Sequence, residues 1–149
     1  MNANVAGQQS KPMPAAEKES ASREHARRTS WLALFILVSW LGLFVHNEVD
    51  LPQLTPLSVE NSVPALVSVA LLVGWWQLRG ARPAALAMLT WSSLNLVGAV
   101  VTVLPLPFLP FEPAQTVLHY LMHVIYATSQ LPLIVALVGW WPRTRAKRG

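Results

Sequence analysis

Cysteine is absent from this chain of 149 residues. Disulfides, thiolate metal sites, iron–sulfur clusters and cysteine nucleophiles are therefore excluded. Charge is scarce: 12% of the residues are Asp, Glu, Lys or Arg, against 53% that are apolar. Soluble domains carry about twice that share of charge, so the composition is that of a small integral membrane protein. The third shortage is local. Residues 29–78 and 83–142 contain no Lys or Arg; every basic residue lies in the N-terminal tail up to Arg28, in the pair Arg79 and Arg82, or from Arg143 onward. The net charge of +4 thus flanks apolar segments instead of covering a polar surface, and no nucleic-acid partner is expected.

What the chain has is four apolar runs. A membrane-spanning helix needs about 20 residues. With flanking residues borrowed, the spans are expected at about 29–47, 58–78, 83–104 and 113–141. Pro83 suits the first turn of the third span, where a missing N–H costs nothing. Pro113 does the same for the fourth, with Glu112 at its cap and its charge at the favourable helix pole. Pro132 is expected to kink the fourth span and Pro142 to stop it.

Basic residues mark cytoplasmic loops. The fold class expected is therefore an all-α, four-helix transmembrane bundle with both termini cytoplasmic, multi-pass in a bacterial inner membrane. Trp31, Trp75, Trp76, Trp140 and Trp141 then fall at the cytoplasmic interface, where indoles anchor. Residues 1–28 read as a disordered polar tail and residues 143–149 as a short basic one. No small-residue cleavage pattern follows Val45, where the chain reads His46-Asn47-Glu48-Val49, so the first span reads as retained.

The opposite end collects His46, Glu48, Asp50, Glu60, Glu112, His119 and His123. In the fourth span His119, His123, Tyr126 and Gln130 fall within about 60° of one helix face, at about 100° per residue. Ser39, Gly42 and His46 share a face of the first span, and Ser92, Asn95 and Thr102 one of the third. Polar groups facing lipid are expensive, so these stripes should turn inward and form a polar pocket open to the extracytoplasmic side. Asn95 and Gln130 come out at similar depth and are expected to hydrogen-bond. The loop with Pro105, Pro107 and Pro110 reads either as a lid lying over that end or as a stiff connector.

Two His at i, i+4 can reach one ion from one helix. The metal or cofactor set expected is His46, His119 and His123, with Glu48, Glu60 and Glu112 as partners and Tyr126, Gln130 and Asn95 in support. Nitrogen and oxygen donors without sulfur suit zinc, iron, manganese or copper(II). Haem b between two His of different helices is the other cofactor considered. Asp50 reads individually as a solvated loop charge. Two readings without a cofactor stand beside these: a structural or accessory subunit, and a metal-free acid–base enzyme acting on a lipid-like substrate. The partners expected are the lipid bilayer and either further copies of this chain or other membrane proteins.

Overall fold

The structure is a computed structural model that describes residues 14–51, 53–109 and 112–146, with side chains as far as 141. Its elements are four helices: α1 (Ala15–Asp50), α2 (Val59–Gln77), α3 (Arg82–Val101) and α4 (Val117–Ala146). All four are long and apolar enough to cross a membrane. α4 packs on α1 and α3, and α2 closes the ring against α1 and α3. Cross-helix hydrogen bonds, such as Trp75 to Thr29 with Trp40 to Asn61 and Tyr126 to Asn95 with His123 to Ala99, show that successive helices run antiparallel. One end, the tail end, therefore carries the N-terminal part of α1, the α2–α3 turn and the end of α4. The loop end carries the α1–α2 and α3–α4 connections.

The outward faces are apolar. Leu34, Leu37 and Leu41 on α1, Leu66 and Val69 on α2, Leu94 and Val97 on α3, and Val124, Val135 and Val138 on α4 are all exposed. Water would not tolerate so much continuous apolar surface on a monomer, whereas hydrocarbon does. Four such helices with apolar outer faces are compatible with a small multi-pass membrane protein.

The core at the tail end is Leu32, Ile36, Trp75, Ala84, Ala85, Met88, Leu133 and Leu137. Trp75 belongs to it and is 1% exposed. Its indole N–H donates to Thr29 Oγ1 at 3.1 Å. This corrects the expectation of an interfacial anchor at that position; Trp31 and Trp76 are the exposed indoles. Gly80 closes the α2–α3 turn at φ 71°, and a Cβ there would press on the Trp75 ring at 3.0 Å. Only glycine meets both demands.

Several boundaries differ from those expected. The segment 15–28, read as disordered, is helical and continuous with the first span; residues 1–13 lie outside the described residues. The cause is visible in the ion pairs Arg23–Glu19 at 2.5 Å, Arg27–Glu24 at 2.6 Å and Arg28–Glu24 at 2.7 Å, all at helical spacing. The apolar span supplies the nucleus, so the polar turns need only propagate it. Second, α4 starts at Val117, so neither Glu112 nor Pro113 caps it. Thr116 does, accepting the His119 N–H on Oγ1 at 3.2 Å. Third, α4 runs past Pro142 to Ala146, losing one backbone bond without ending. It is likewise helical through Pro132. α3 stops at Val101, where the Thr102 hydroxyl and N–H both turn back to the Gly98 carbonyl.

α1 and α4 are in close contact at Gly42. A methyl group placed there would overlap Ser129 Cβ and Oγ. Small residues at such a crossing let backbones approach, which is the main source of packing energy between helices in lipid. Gly42→Ala is expected to destabilise the bundle by about 1–3 kcal/mol, the range for overpacking. Unfolding in mixed micelles checks this, and an unchanged midpoint would show that the crossing is looser than described.

Candidate metal centre

Along the α1–α4 seam the polar residues pair in rungs. The series 39, 46, 50 on α1 and 130, 123, 119 on α4 step equally in opposite directions. Ser39 Oγ donates to Gln130 Oε1 at 2.5 Å. His46 Nε2 lies 2.9 Å from His123 Nε2. His119 Nδ1 lies 2.8 Å from Asp50 Oδ2. An antiparallel pair of helices in close contact brings equal steps into register, so one approach at Gly42 aligns all three rungs.

The hydrogen bonds around the two imidazoles fix their tautomers. The Thr55 carbonyl can only accept, so Asn61 gives it an amide N–H at 2.9 Å. Asn61 Oδ1 then accepts from Asn47 Nδ2 at 2.9 Å. That leaves Asn47 Oδ1 facing His46 Nδ1 at 3.0 Å, and His46 must donate from Nδ1. His123 Nδ1 lies 2.6 Å from the Ala99 carbonyl and must donate as well. Each neutral ring thus keeps its proton on Nδ1 and presents a bare lone pair at Nε2. The two lone pairs face each other at hydrogen-bond distance and repel unless a cation lies beside them.

The Asp50 carboxylate stands at the same spot, with Oδ2 3.2 Å from His46 Nε2. Ligand atoms of His46, Asp50 and His123 all lie within 4.8 Å of one another. His119 lies outside that group and reaches it through its bond to Asp50. Its ring is buried, and Nε2 has no partner among the described residues. The arrangement is one carboxylate and two aimed lone pairs in a largely buried setting, which together favour a small cation.

Of the residues singled out from the sequence, His46 and His123 come together. Glu60 and Glu112 do not join them. Both are exposed, at the first turn of α2 and on the α3–α4 connection. Glu48 is half-buried and not part of the group, since an offset of two residues along α1 from both His46 and Asp50 puts it on another face of the helix, and its Oε1 has no partner among the described residues. Asp50, read as a solvated charge, is the carboxylate that the fold delivers. Its side chain is 14% exposed. The signal was its i, i+4 spacing from His46, which counts only because α1 stays helical to Asp50.

The polar residues below the group pair differently from the expectation. Asn95 and Gln130 are not partners. Tyr126 donates its hydroxyl to Asn95 Oδ1 at 2.8 Å, and Asn95 Nδ2 donates to the Trp91 carbonyl at 2.8 Å. Gln130 Nε2 donates to the Ser39 carbonyl at 3.2 Å. Tyr126 and Gln130 share a helix face one turn apart, and the nearer one takes Asn95. Ser92 and Thr102 bond to carbonyls of their own helix and bridge nothing. The Tyr126 ring also flanks His46, with centroids 5.5 Å apart.

No family model, curated protein or solved structure matches the chain. The arrangement of its own residues carries the functional reading.

Double-mutant cycles should separate the two polar pairs. Tyr126→Phe with Asn95→Ala, and Ser39→Ala with Gln130→Ala, are each expected to couple by about 0.6 kcal/mol, with about 1.7 as a ceiling. Asn95→Ala with Gln130→Ala should be additive. Coupling in that last pair alone would contradict the described network.

Proposed function

We propose that the loop end of the bundle is a divalent-metal site, with His46 Nε2, His123 Nε2 and an Asp50 oxygen as its protein ligands. The observation that carries this is the convergence of two lone pairs, each fixed by a hydrogen bond at the other ring nitrogen. Metal-ligating His almost always donates that other N–H to a carbonyl or carboxylate. The Ala99 carbonyl and the Asn47 amide oxygen fill that role here. His119 orients Asp50 in the same way.

The distances suit an ion. At zinc–nitrogen distances of about 2.0–2.1 Å, two ligands of a tetrahedron lie about 3.3 Å apart. The His46–His123 and His46–Asp50 separations of 2.9 and 3.2 Å reach that with a small widening. A porphyrin does not suit them, because its plane would have to pass between nitrogens already at hydrogen-bond distance. Two imidazoles and one carboxylate suit zinc, iron(II) or manganese and leave coordination positions open for water or a substrate atom. A site of that kind either activates bound water or hands the metal on.

A second reading has its own support. The 2.9 Å Nε2–Nε2 separation is also the length of an N–H···N bond. A single proton shared there, balanced by Asp50, would make a metal-free acid–base pair.

In orientation, both termini lie in the cytoplasm and the site faces the extracytoplasmic side of a bacterial inner membrane. The positive-inside rule supports this, since Arg23, Arg27, Arg28, Arg79 and Arg82 all sit at the tail end. The metal ligands come from one chain, so further copies or other membrane proteins would be partners in function and not in completing the site.

Metal analysis of tag-free protein tests the site. About one zinc, iron or manganese per chain is expected, lost in His46→Ala, His123→Ala and Asp50→Asn and kept in Glu60→Gln and Glu112→Gln. His119→Ala should weaken binding by about 10–100-fold, the usual effect of removing an orienting partner. Metal-free wild-type protein would sink the site and leave the shared-proton pair. The absence of cysteine permits a clean topology test. A single Cys at Ser58 should react with an impermeant maleimide in intact cells, and one at Ser20 only after permeabilisation. The reverse pattern would overturn the orientation.

A further inference from the structure

The tail end holds a second site, unconnected with the His and Asp group. Between α1 and α4 lies a cavity of about 440 Å³. The two helices touch at Gly42 and leave a cleft toward this end. Leu32 lies at its floor, Phe35 and the exposed Val135 form its apolar sides, and Arg27 and Arg28 line its mouth. Beside that mouth Trp31 is more than half exposed and stacks on Phe35 at 5.8 Å. From Arg28 to Phe35 the rise is about 10 Å, at about 1.5 Å per residue. The cleft therefore joins a cationic rim to an apolar wall over the depth that separates a lipid phosphate from the upper part of its chains.

The rim stays cationic despite its ion pairs. Glu24 accepts from Arg27 Nε and Nη2 and from Arg28 Nε. One carboxylate thus offsets only one of two guanidiniums. It also holds both by the inner edge, and no described residue accepts from the Nη groups of Arg28, which remain available as a fork for a phosphate. A soluble anion would use the rim and leave the apolar wall wet. A zwitterionic lipid would bring its own cation to the rim. An anionic phospholipid satisfies both parts.

We propose that this cleft binds one anionic phospholipid, with its phosphate on Arg27 and Arg28 and an acyl chain along Leu32, Phe35 and Val135. The site rests on the chain spanning a bilayer but not on the metal reading. Cationic pockets between helices at the cytoplasmic face are suited to such headgroups.

Native mass spectrometry of the full chain in detergent, titrated with phosphatidylglycerol or phosphatidylcholine, tests it. The wild type is expected to retain one phosphatidylglycerol with about tenfold preference, since each guanidinium near the surface contributes at about that scale. Arg27→Gln with Arg28→Gln should remove the preference. Gly139→Leu provides a second variant that keeps both arginines. Gly139 lines the cleft, and a Cβ there meets open space, so the substitution fills the cleft without disturbing the core. It should also lose the lipid. Replacing Arg143, Arg145, Lys147 and Arg148 by Gln should leave retention unchanged. Equal retention of phosphatidylcholine, undiminished retention in either cleft variant, or equal loss in the C-terminal variant would each overturn the proposal.

Discussion

The approach of α1 to α4 at Gly42 is the constraint on which the loop end depends. A side chain at that position would hold the helices apart, because Ser129 occupies the space a Cβ would need. With glycine, the crossing is close enough for short side chains to meet across it. Ser39 reaches Gln130, His46 reaches His123 and Asp50 reaches His119 without long flexible arms. In lipid this matters more than in water, since hydrocarbon gives no hydrophobic push between helices and contact must come from fit. The same seam that holds the bundle together therefore sets the spacing of its most polar residues.

Burial at this seam makes hydrogen-bond bookkeeping strict. The side-chain amides of Asn61 and Asn47 and the Nδ1 of His46 follow one another in a single sense, and that sequence of donors starts from a backbone carbonyl at Thr55. A fixed polar chain of this kind costs little once satisfied, but leaving a member unpaired costs about 1–3 kcal/mol. The protons of His46 and His123 are placed by their neighbours, and the two bare nitrogens are a consequence of the fold as much as of the residues. Asn47 and Asn61, on α1 and α2, are thus part of the site although they touch no ligand atom other than a ring nitrogen's far side.

Much of the architecture can be read from hydropathy. Four apolar runs separated by polar or proline-rich connections leave few alternatives to four helices, and the polar face of α4 follows from its spacing. His119, His123, Tyr126 and Gln130 are all buried. What the sequence could not show is direction around the bundle. Glu60 and Glu112 lie at the correct end but point away from the seam, because depth along a helix says nothing of azimuth in a neighbouring loop. Asp50 was hidden for a related reason. A carboxylate beside a proline-containing loop reads as solvated until the helix is known to include it. Asn95 illustrates the limit of depth alone: Tyr126 and Gln130 differ by about one turn, and only packing decides between them. The helix over 15–28 was legible in its Glu and Arg spacing, but its polar composition argued against it.

Asp50 is also the last residue of α1. The peptide dipoles of a helix sum to a partial negative charge at its C-terminal end, felt within the last turn. His46 and Asp50 both sit on that turn, so the pole of a long helix adds to the carboxylate. An oxyanion approaching the two imidazoles would meet the wrong end of that dipole, and a cation the right one. The field at the His and Asp group thus favours positive charge before any ligand geometry is tested, and part of it comes from backbone that no side-chain substitution removes.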